Sequence, residues 1–286
     1  MMIPLASISS EVSLSSATTL PRIEELRQRL STAERAVGLA GGCGAPVALG
    51  IAEIDATLGG GLDVGMLHDV AAARASEASA ATGFALAVAT RFAHAPRRTV
   101  QTRTLSARVV LWIVEDLLMH ENGAPYGPGL EEAGIAPEEL ITVAATRQRD
   151  VLWAMEEALR CPAVGVVIGE TAARGIDQVA MRRLSLAAAA GGRLGLLLRM
   201  EPDDSYCPAA TRWIVGAARS FALSTSQRCR GVGPPRWAVR LMRNRRGRPG
   251  AWIVEWNSVE QRFELAKNSQ PVAGPTLDRP YRSTAA

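Results

Sequence analysis

The sequence predicts an α/β fold, a mostly parallel sheet with helices on both faces. Three observations carry this. Short continuous apolar runs recur at 108–114 (RVVLWIV), 163–168 (AVGVVI) and 194–198 (LGLLL), the pattern of strands buried on both faces. Longer segments with helical spacing lie between them, and strands alternating with helices argue for parallel pairing through crossovers. The 286 residues are 48% hydrophobic and 21% charged, which is enough for a large core and too little charge for a disordered chain.

Taken in order, residues 1–20 are rich in Ser and Thr and are expected to lack fixed structure. From Pro21 to Leu39, Ile23, Leu26, Leu30, Ala33 and Val37 share one helical face, with Pro21 in the first turn and Gly38 and Gly41 at the end. That face can serve the chain's own core or a partner. A linker to residue 45 follows. A short helix around Glu53–Thr57 then runs into the turn Gly59-Gly60-Gly61, and Gly65 precedes a strand at Met66–Ala71. Glu77–Ala93 reads as a helix, Arg108–Val114 and Leu140–Ala144 as buried strands, and Val151–Arg160 as a helix with Asp150 at its N-cap. Ala163–Ile168 and Leu194–Leu198 are further buried strands, separated by a helix at Ile176–Ala190. After Arg199 the texture changes to half-buried strands at Ala209–Val215, Arg236–Met242 and Ala251–Trp256, the last two joined by a basic turn, RNRRGRPG. The expected organisation is a helix and linker over 21–45, a core over 46–222, an Arg-rich β extension over 223–265 and a loose tail over 266–286.

Composition narrows the chemistry. Net charge is +4, and every one of the 32 basic residues except Lys267 is Arg, so a mechanism needing a lysine in the core is excluded. Cys43, Cys161, Cys207 and Cys229 form no CxxC pair, and His68, His94 and His120 are scattered, so no metal set is expected. The start has no basic n-region, and the longest apolar stretch, 184–200, is broken by Arg193. The expectation is a cytoplasmic chain with no membrane contact.

One frame stands out. Nucleotide-binding loops of the P-loop kind join a strand to a helix through glycines, whose backbone N–H groups wrap the phosphates, and end in Gly-Lys-Ser/Thr. Here the strand at Met66–Ala71 is followed by AARASEASAATGFALA: the strand–loop–helix frame is present, but the loop glycines and the lysine are absent. Arg74, Ser76, Glu77 and Ser79 stand in their place, and Arg74 lies at the wrong end of the loop to substitute for the lysine. Glu115 and Glu170 follow two buried strands, where open sheets set polar residues toward the crevice.

The segment IAEIDATLGGGLDVGMLHDV resembles the approach to the P-loop in RecA recombinases, with Asp55, Gly60-Gly61-Leu62 and Gly65 in matching places. Together with VLWAMEEALRC, LGLLLR, ATRW and PPRWAVRLMRNRRGRPGAWIVEW, the chain resembles the ImuA family from about Pro21 to Glu264. Those proteins are RecA-like accessory factors of the bacterial SOS mutasome. The resemblance implies a RecA-like core, and the missing loop glycines and lysine add the expectation of no cofactor and no ATP hydrolysis. The resemblance also implies ImuB and an error-prone C-family DNA polymerase as partners, and a role in damage-tolerant DNA synthesis. Glu115 and Glu170 then resemble remnants of a water-activating and Mg²⁺-linked pair. Two other readings stay open: an ATPase using Arg74, and a regulator of RecA filaments docking through the 21–39 helix.

The strongest charge feature is Arg240, Arg243, Arg245, Arg246 and Arg248, flanked by Trp237 and Trp252. Guanidiniums track phosphates or acidic side chains equally well, so DNA and an acidic protein are equal alternatives here, and the two Trp are expected in the core. Arg199 ends a strand and is expected to pair with Glu170 or with an acidic partner.

Overall fold

The computed structural model describes residues 45–94, 108–172, 175–203, 207–220, 223–226, 229–231 and 233–266. The N-terminal segment with its expected helix at Pro21–Leu39, and the tail from Lys267, lie outside the described residues.

Helix α1 (Ala52–Thr57) precedes strand β1 (Leu67–Ala72), and a 3-10 turn at Ala75–Glu77 leads into α2 (Ala78–His94). Next come β2 (Val110–Glu115), α3 (Asp116–Asn122), α4 (Gly127–Ala133), β3 (Leu140–Ala145) and α5 (Gln148–Arg160). Strand β4 (Val166–Thr171), helix α6 (Gln178–Gly191), β5 (Leu194–Arg199) and β6 (Thr211–Ala217) complete the alternating part. A small hairpin, β7 (Leu223–Ser226) and β8 (Cys229–Gly231), precedes β9 (Arg236–Asn244), β10 (Gly250–Asn257) and β11 (Arg262–Leu265).

Nine strands form one sheet in the order β11-β10-β9-β6-β1-β5-β4-β2-β3. The pairings from β6 to β3 are parallel, and β9, β10 and β11 add on antiparallel beyond β6. The Arg-rich extension therefore continues the core sheet. Alternate residues of each parallel strand face opposite layers. Val166, Ile168, Leu196 and Leu198 pack under α2, while Val167 and Leu197 pack under α5 and α6. Both sides are apolar, which is why these strands read as continuous hydrophobic runs.

One further apolar segment behaves differently. Leu140–Ala144, read as a buried strand, is the edge strand β3, with Ile141 49% and Val143 36% exposed. Its apolar residues cover the side of β2 without being covered themselves. Helix α5 starts at Gln148 with Arg147 at the N-cap, so Asp150 sits inside the first turn, where its charge complements the helix dipole instead of capping it. The helices α3 and α4 carry too short a pattern to be read from the sequence.

Two local devices hold the ends of the core. Gly61 has φ +129°, and any Cβ there would collide with the backbone of Val47, which pairs with Leu62 across an isolated bridge. Only glycine fits this crossing. The carboxylate of Asp55 accepts from the backbone N–H groups of Leu49 (2.7 Å) and Gly50 (3.0 Å), which locks the chain before α1.

His68, in β1, is completely buried. Trp213 Nε1 donates to Thr211 Oγ1 (2.8 Å), so the hydroxyl proton is free to be given to His68 Nδ1 (2.8 Å). Nε2 then donates to the carbonyl of Asp63 (3.0 Å), and the neutral ring has every polar atom paired. Burial holds this imidazole down at about 4, below its ordinary 6.5. Because the folded value lies below the unfolded one, the unfolded chain takes up the proton first, and stability falls as pH drops from about 6.5 toward 4. The loss amounts to about 3 kcal/mol, read as a steeper acid destabilisation in urea melts of the wild type than of His68→Asn.

Candidate functional site

In open parallel sheets, ligands collect at the carboxyl ends of the strands. Here those ends carry Ala72 and the following turn (β1), Glu115 (β2), Glu170 (β4) and Arg199 (β5). The structure brings Glu77, Ser79, Glu115 and Glu170 to this edge, together with Arg74 and Ser76, which are exposed.

The connection from β1 to α2 is a tight 3-10 turn. Glu77 lies in it, and its carboxylate sits beside β6: a Cβ added to Gly216 would come 3.4 Å from Glu77 Oε2. The chain thus places its own acid at the mouth of α2, where a helix start otherwise attracts an anion. Glu115 accepts from Thr171 Oγ1 and from the Ala172 backbone N–H, both at 3.0 Å, and so clamps the end of β2 to the end of β4. Asp116, the first residue of α3, accepts from Thr146 Oγ1 (3.2 Å) beyond the end of β3.

Glu170 is 2% exposed. It accepts from Trp112 Nε1 (2.8 Å) and Thr82 Oγ1 (3.3 Å), and no cation pairs with it among the described residues. Burial pushes its carboxyl up to about 6, against the two hydrogen bonds that pull it down. It lines a mainly apolar cavity of about 250 Å³ between α2, β2, α3 and the loop at Gly123–Pro125.

Arg199 pairs with neither Glu170 nor a free surface. It turns to Asp69 in the middle of β1, donating through Nε (2.9 Å) and Nη2 (2.5 Å) to the two carboxylate oxygens. Arg212, on β6, donates to the same carboxylate (2.9 Å), and Asp203 takes a third guanidinium hydrogen of Arg199 (3.3 Å). Asp69 is completely buried and Arg199 4% exposed. Neither Asp69 nor Arg212 stands out in the sequence. The available signal was an acid inside LHDVAA, a central strand apolar but for His68 and Asp69, where a buried carboxylate requires a cation. Burial, with Asp69 nearby, raises the Cys207 thiol, so it is not a poised thiolate.

The arginine hairpin divides in two. Arg243 donates to the carbonyl of Cys207, Arg246 pairs with Asp63, and Asn244 Nδ2 reaches the carbonyl of Thr57 (2.8 Å). These contacts fasten the turn to the core. Arg240, Arg245 and Arg248 are exposed, and Arg240 lies on the sheet face opposite α2, beside Met242, which is 48% exposed. Arg199, Arg212 and Arg243 line a small cavity of about 200 Å³ on that face. The tryptophans are structural, as expected. Trp237 is buried, and Trp252 packs on the core while donating to Glu53 Oε1 (2.8 Å).

Among the described residues no cluster of His, Cys, Asp and Glu could hold a metal ion, and no helix is long and apolar enough to cross a membrane.

The Glu170 carboxyl has a testable signature. Its folded pKa is raised, so the native state holds the proton more tightly than the unfolded chain, and its cost appears as pH rises from about 4.5 through 6. In Glu170→Gln the amide oxygen accepts from Trp112 while the amide NH2 donates to Thr82 Oγ1, whose own proton turns to the Ala78 carbonyl (3.1 Å), so the substitution removes that cost, of order 2 kcal/mol. Thermal melts should show the variant stabilised over wild type at pH 8 and nearly equal to it at pH 4.5.

Comparison with known proteins gives the following. The chain is 31% identical to Protein ImuA of Caulobacter vibrioides, strain NA1000, over 207 residues, covering 69% of this chain and 77% of that one. Protein ImuA of a second strain, ATCC 19089, matches with the same figures. A RadB recombinase crystal structure superposes with a TM-score of 0.50 at 14% identity, covering 77% of this chain and all of the other, and shares the fold. No family model matches.

Proposed function

The chain belongs to the ImuA family, and from that premise we propose that it is a non-catalytic, RecA-like adaptor of the SOS-induced mutasome. In this reading it supports error-prone translesion synthesis in the bacterial cytoplasm with ImuB and a C-family DNA polymerase. One observation carries the non-catalytic part: Glu77, Glu115 and Glu170 crowd the strand ends, and the turn from β1 to α2 holds no lysine. A triphosphate there would meet carboxylates, in a loop with no glycine to wrap it. Arg74, at the far end of the turn and exposed, does not offset that. The RecA-like frame survives as a rigid sheet, and its exposed arginines are the surface suited to an acidic partner or to a phosphate backbone.

Calorimetric titration with ATP and Mg²⁺ should give no heat of binding at micromolar nucleotide, beside co-purification with ImuB and the polymerase. Arg240→Ala/Arg245→Ala should cut recovery of a partner roughly tenfold or more while leaving the melting temperature within a few degrees, since both side chains are exposed. Micromolar ATP binding lost on Arg74→Ala would instead favour an ATPase with a nonstandard loop.

A second reading, regulation of RecA filaments, is favoured by the edge strand β3. An edge strand offers unpaired N–H and C=O groups, and this one presents Ile141 and Val143, with Trp153 of α5 62% exposed. The full chain should then shorten RecA filaments on single-stranded DNA in electron micrographs. Ile141→Asp/Val143→Asp should restore their length; an unchanged effect in the double variant removes edge pairing from the account.

A further inference from the structure

One face of helix α2 is only partly covered by the described residues of the sheet extension and α4. Two cavities open on it and share Ser79, Gly83 and Leu86 as floor. The smaller, about 250 Å³, is the one that ends on Glu170. The larger, about 720 Å³, runs between α4 and the sheet extension, with Trp237, Trp256, Pro234 and Pro235 as its walls. Size and apolar lining put the larger one in the range of built binding sites rather than packing defects.

The charge of the lining is distinctive. Basic residues outnumber acidic ones in this chain, 32 to 28, yet among the described residues every charged side chain lining either cavity is a glutamate: Glu170 in one, and Glu132, Glu255 and Glu264 in the other. Glu255 is matched by Arg236 (2.5 Å) and Glu264 by Arg262 (3.2 Å). Glu132 and Glu170 have no cationic partner among the described residues. Trp256 is 2% exposed, and its Nε1 has no acceptor. Acidic and aromatic walls are the wrong sign for a nucleotide and the right one for a cation on an apolar stem.

We propose that the two cavities form one groove that receives an extended basic peptide of a partner protein, a Lys or Arg entering the smaller cavity against Glu170 and the neighbouring apolar residues lying along Pro234 and Pro235, over the buried Trp237 and Trp256. A carboxylate with two hydrogen bonds keeps lone pairs for a third and fourth, so the guanidinium or ammonium adds to the existing pair without displacing Trp112 or Thr82. Gly83 sets the depth where the cavities meet. A Cβ there would touch Trp237 Cζ2 at 3.4 Å, an ordinary contact, so a longer side chain at 83 fills the groove instead of breaking the helix. The inference deepens the adaptor reading but is read out without ImuB, polymerase or DNA, so either can fail alone.

The test is selection of phage-displayed random 12-residue peptides on the full chain, followed by affinity measurement on purified peptides. Enriched peptides should carry Lys or Arg flanked by apolar residues or proline. Their affinity should fall roughly tenfold or more in Glu170→Gln, and separately in Gly83→Met. Both variants are expected to be as stable as wild type or more so, one losing a buried charge and the other a helical glycine, so unfolding does not account for the loss. No enrichment, peptides without a basic residue, or equal binding to both variants overturns the proposal. So does binding to a chain ending at residue 266 but not to the full chain, which would make the chain's own tail the occupant.

Discussion

A completely buried carboxylate in the central strand governs much of this structure. Asp69 sits in β1, between β5 and β6, shut off from bulk solvent. Left unpaired there it would cost several kcal/mol, so the fold has to bring cations to it. Arg199 comes from β5 and Arg212 from β6, the two neighbours of β1. Their planar forks meet both carboxylate oxygens, a geometry lysine cannot supply. Arg212 Nη1 also holds the carbonyl of Asp203 (2.8 Å), so the same network anchors the start of the segment between β5 and β6. One charge thus sets the register of three strands and the exit of a loop.

The strand-end acids follow the same logic at lower cost. Glu115 ties β2 to β4, and Glu170 ties β4 to β2 and α2. In each case a carboxylate at the crevice is spent on donors of the chain itself. Glu77 closes the approach to α2 from within the turn. Most of the crevice is built as internal clamps, and the surface left for others lies on the exposed arginines, the β3 edge and the groove along α2, which reaches Glu170.

That face is shaped by aromatic packing. Phe84 of α2 meets Trp213 of β6, Trp237 of β9 and Phe263 of β11, with ring centroids 5.3–6.0 Å apart. Such contacts, each worth roughly 0.5–1.5 kcal/mol beyond burial, draw the antiparallel extension against the helix. The extension then forms one wall of the larger cavity, opposite α4. A basic hairpin that looks detachable in the sequence is in fact held at its turn by Arg243, Asn244 and Arg246 and along its strands by the aromatic cluster.

The sequence by itself determined the α/β class, the order of the longer strands and helices, the parallel core and the absence of lysine from the turn before α2; it left out α3, α4 and the short strands β7, β8 and β11. The properties it determined are local or periodic, written in apolar runs and turn residues within a few positions of one another. It also placed Trp237 in the core, because a large apolar side chain on a strand-like segment has few other places to go. Only the tertiary structure decided that β3 is an edge, since a run of Leu, Ile and Val looks the same whether or not a neighbour covers it. It alone matched Asp69 with Arg199, residues 130 positions apart, and separated Arg243 and Arg246, spent on anchoring, from the exposed Arg240 and Arg245. Pairing of charges depends on which strands become neighbours, and that is set by the crossovers of the whole chain and not by any segment of it.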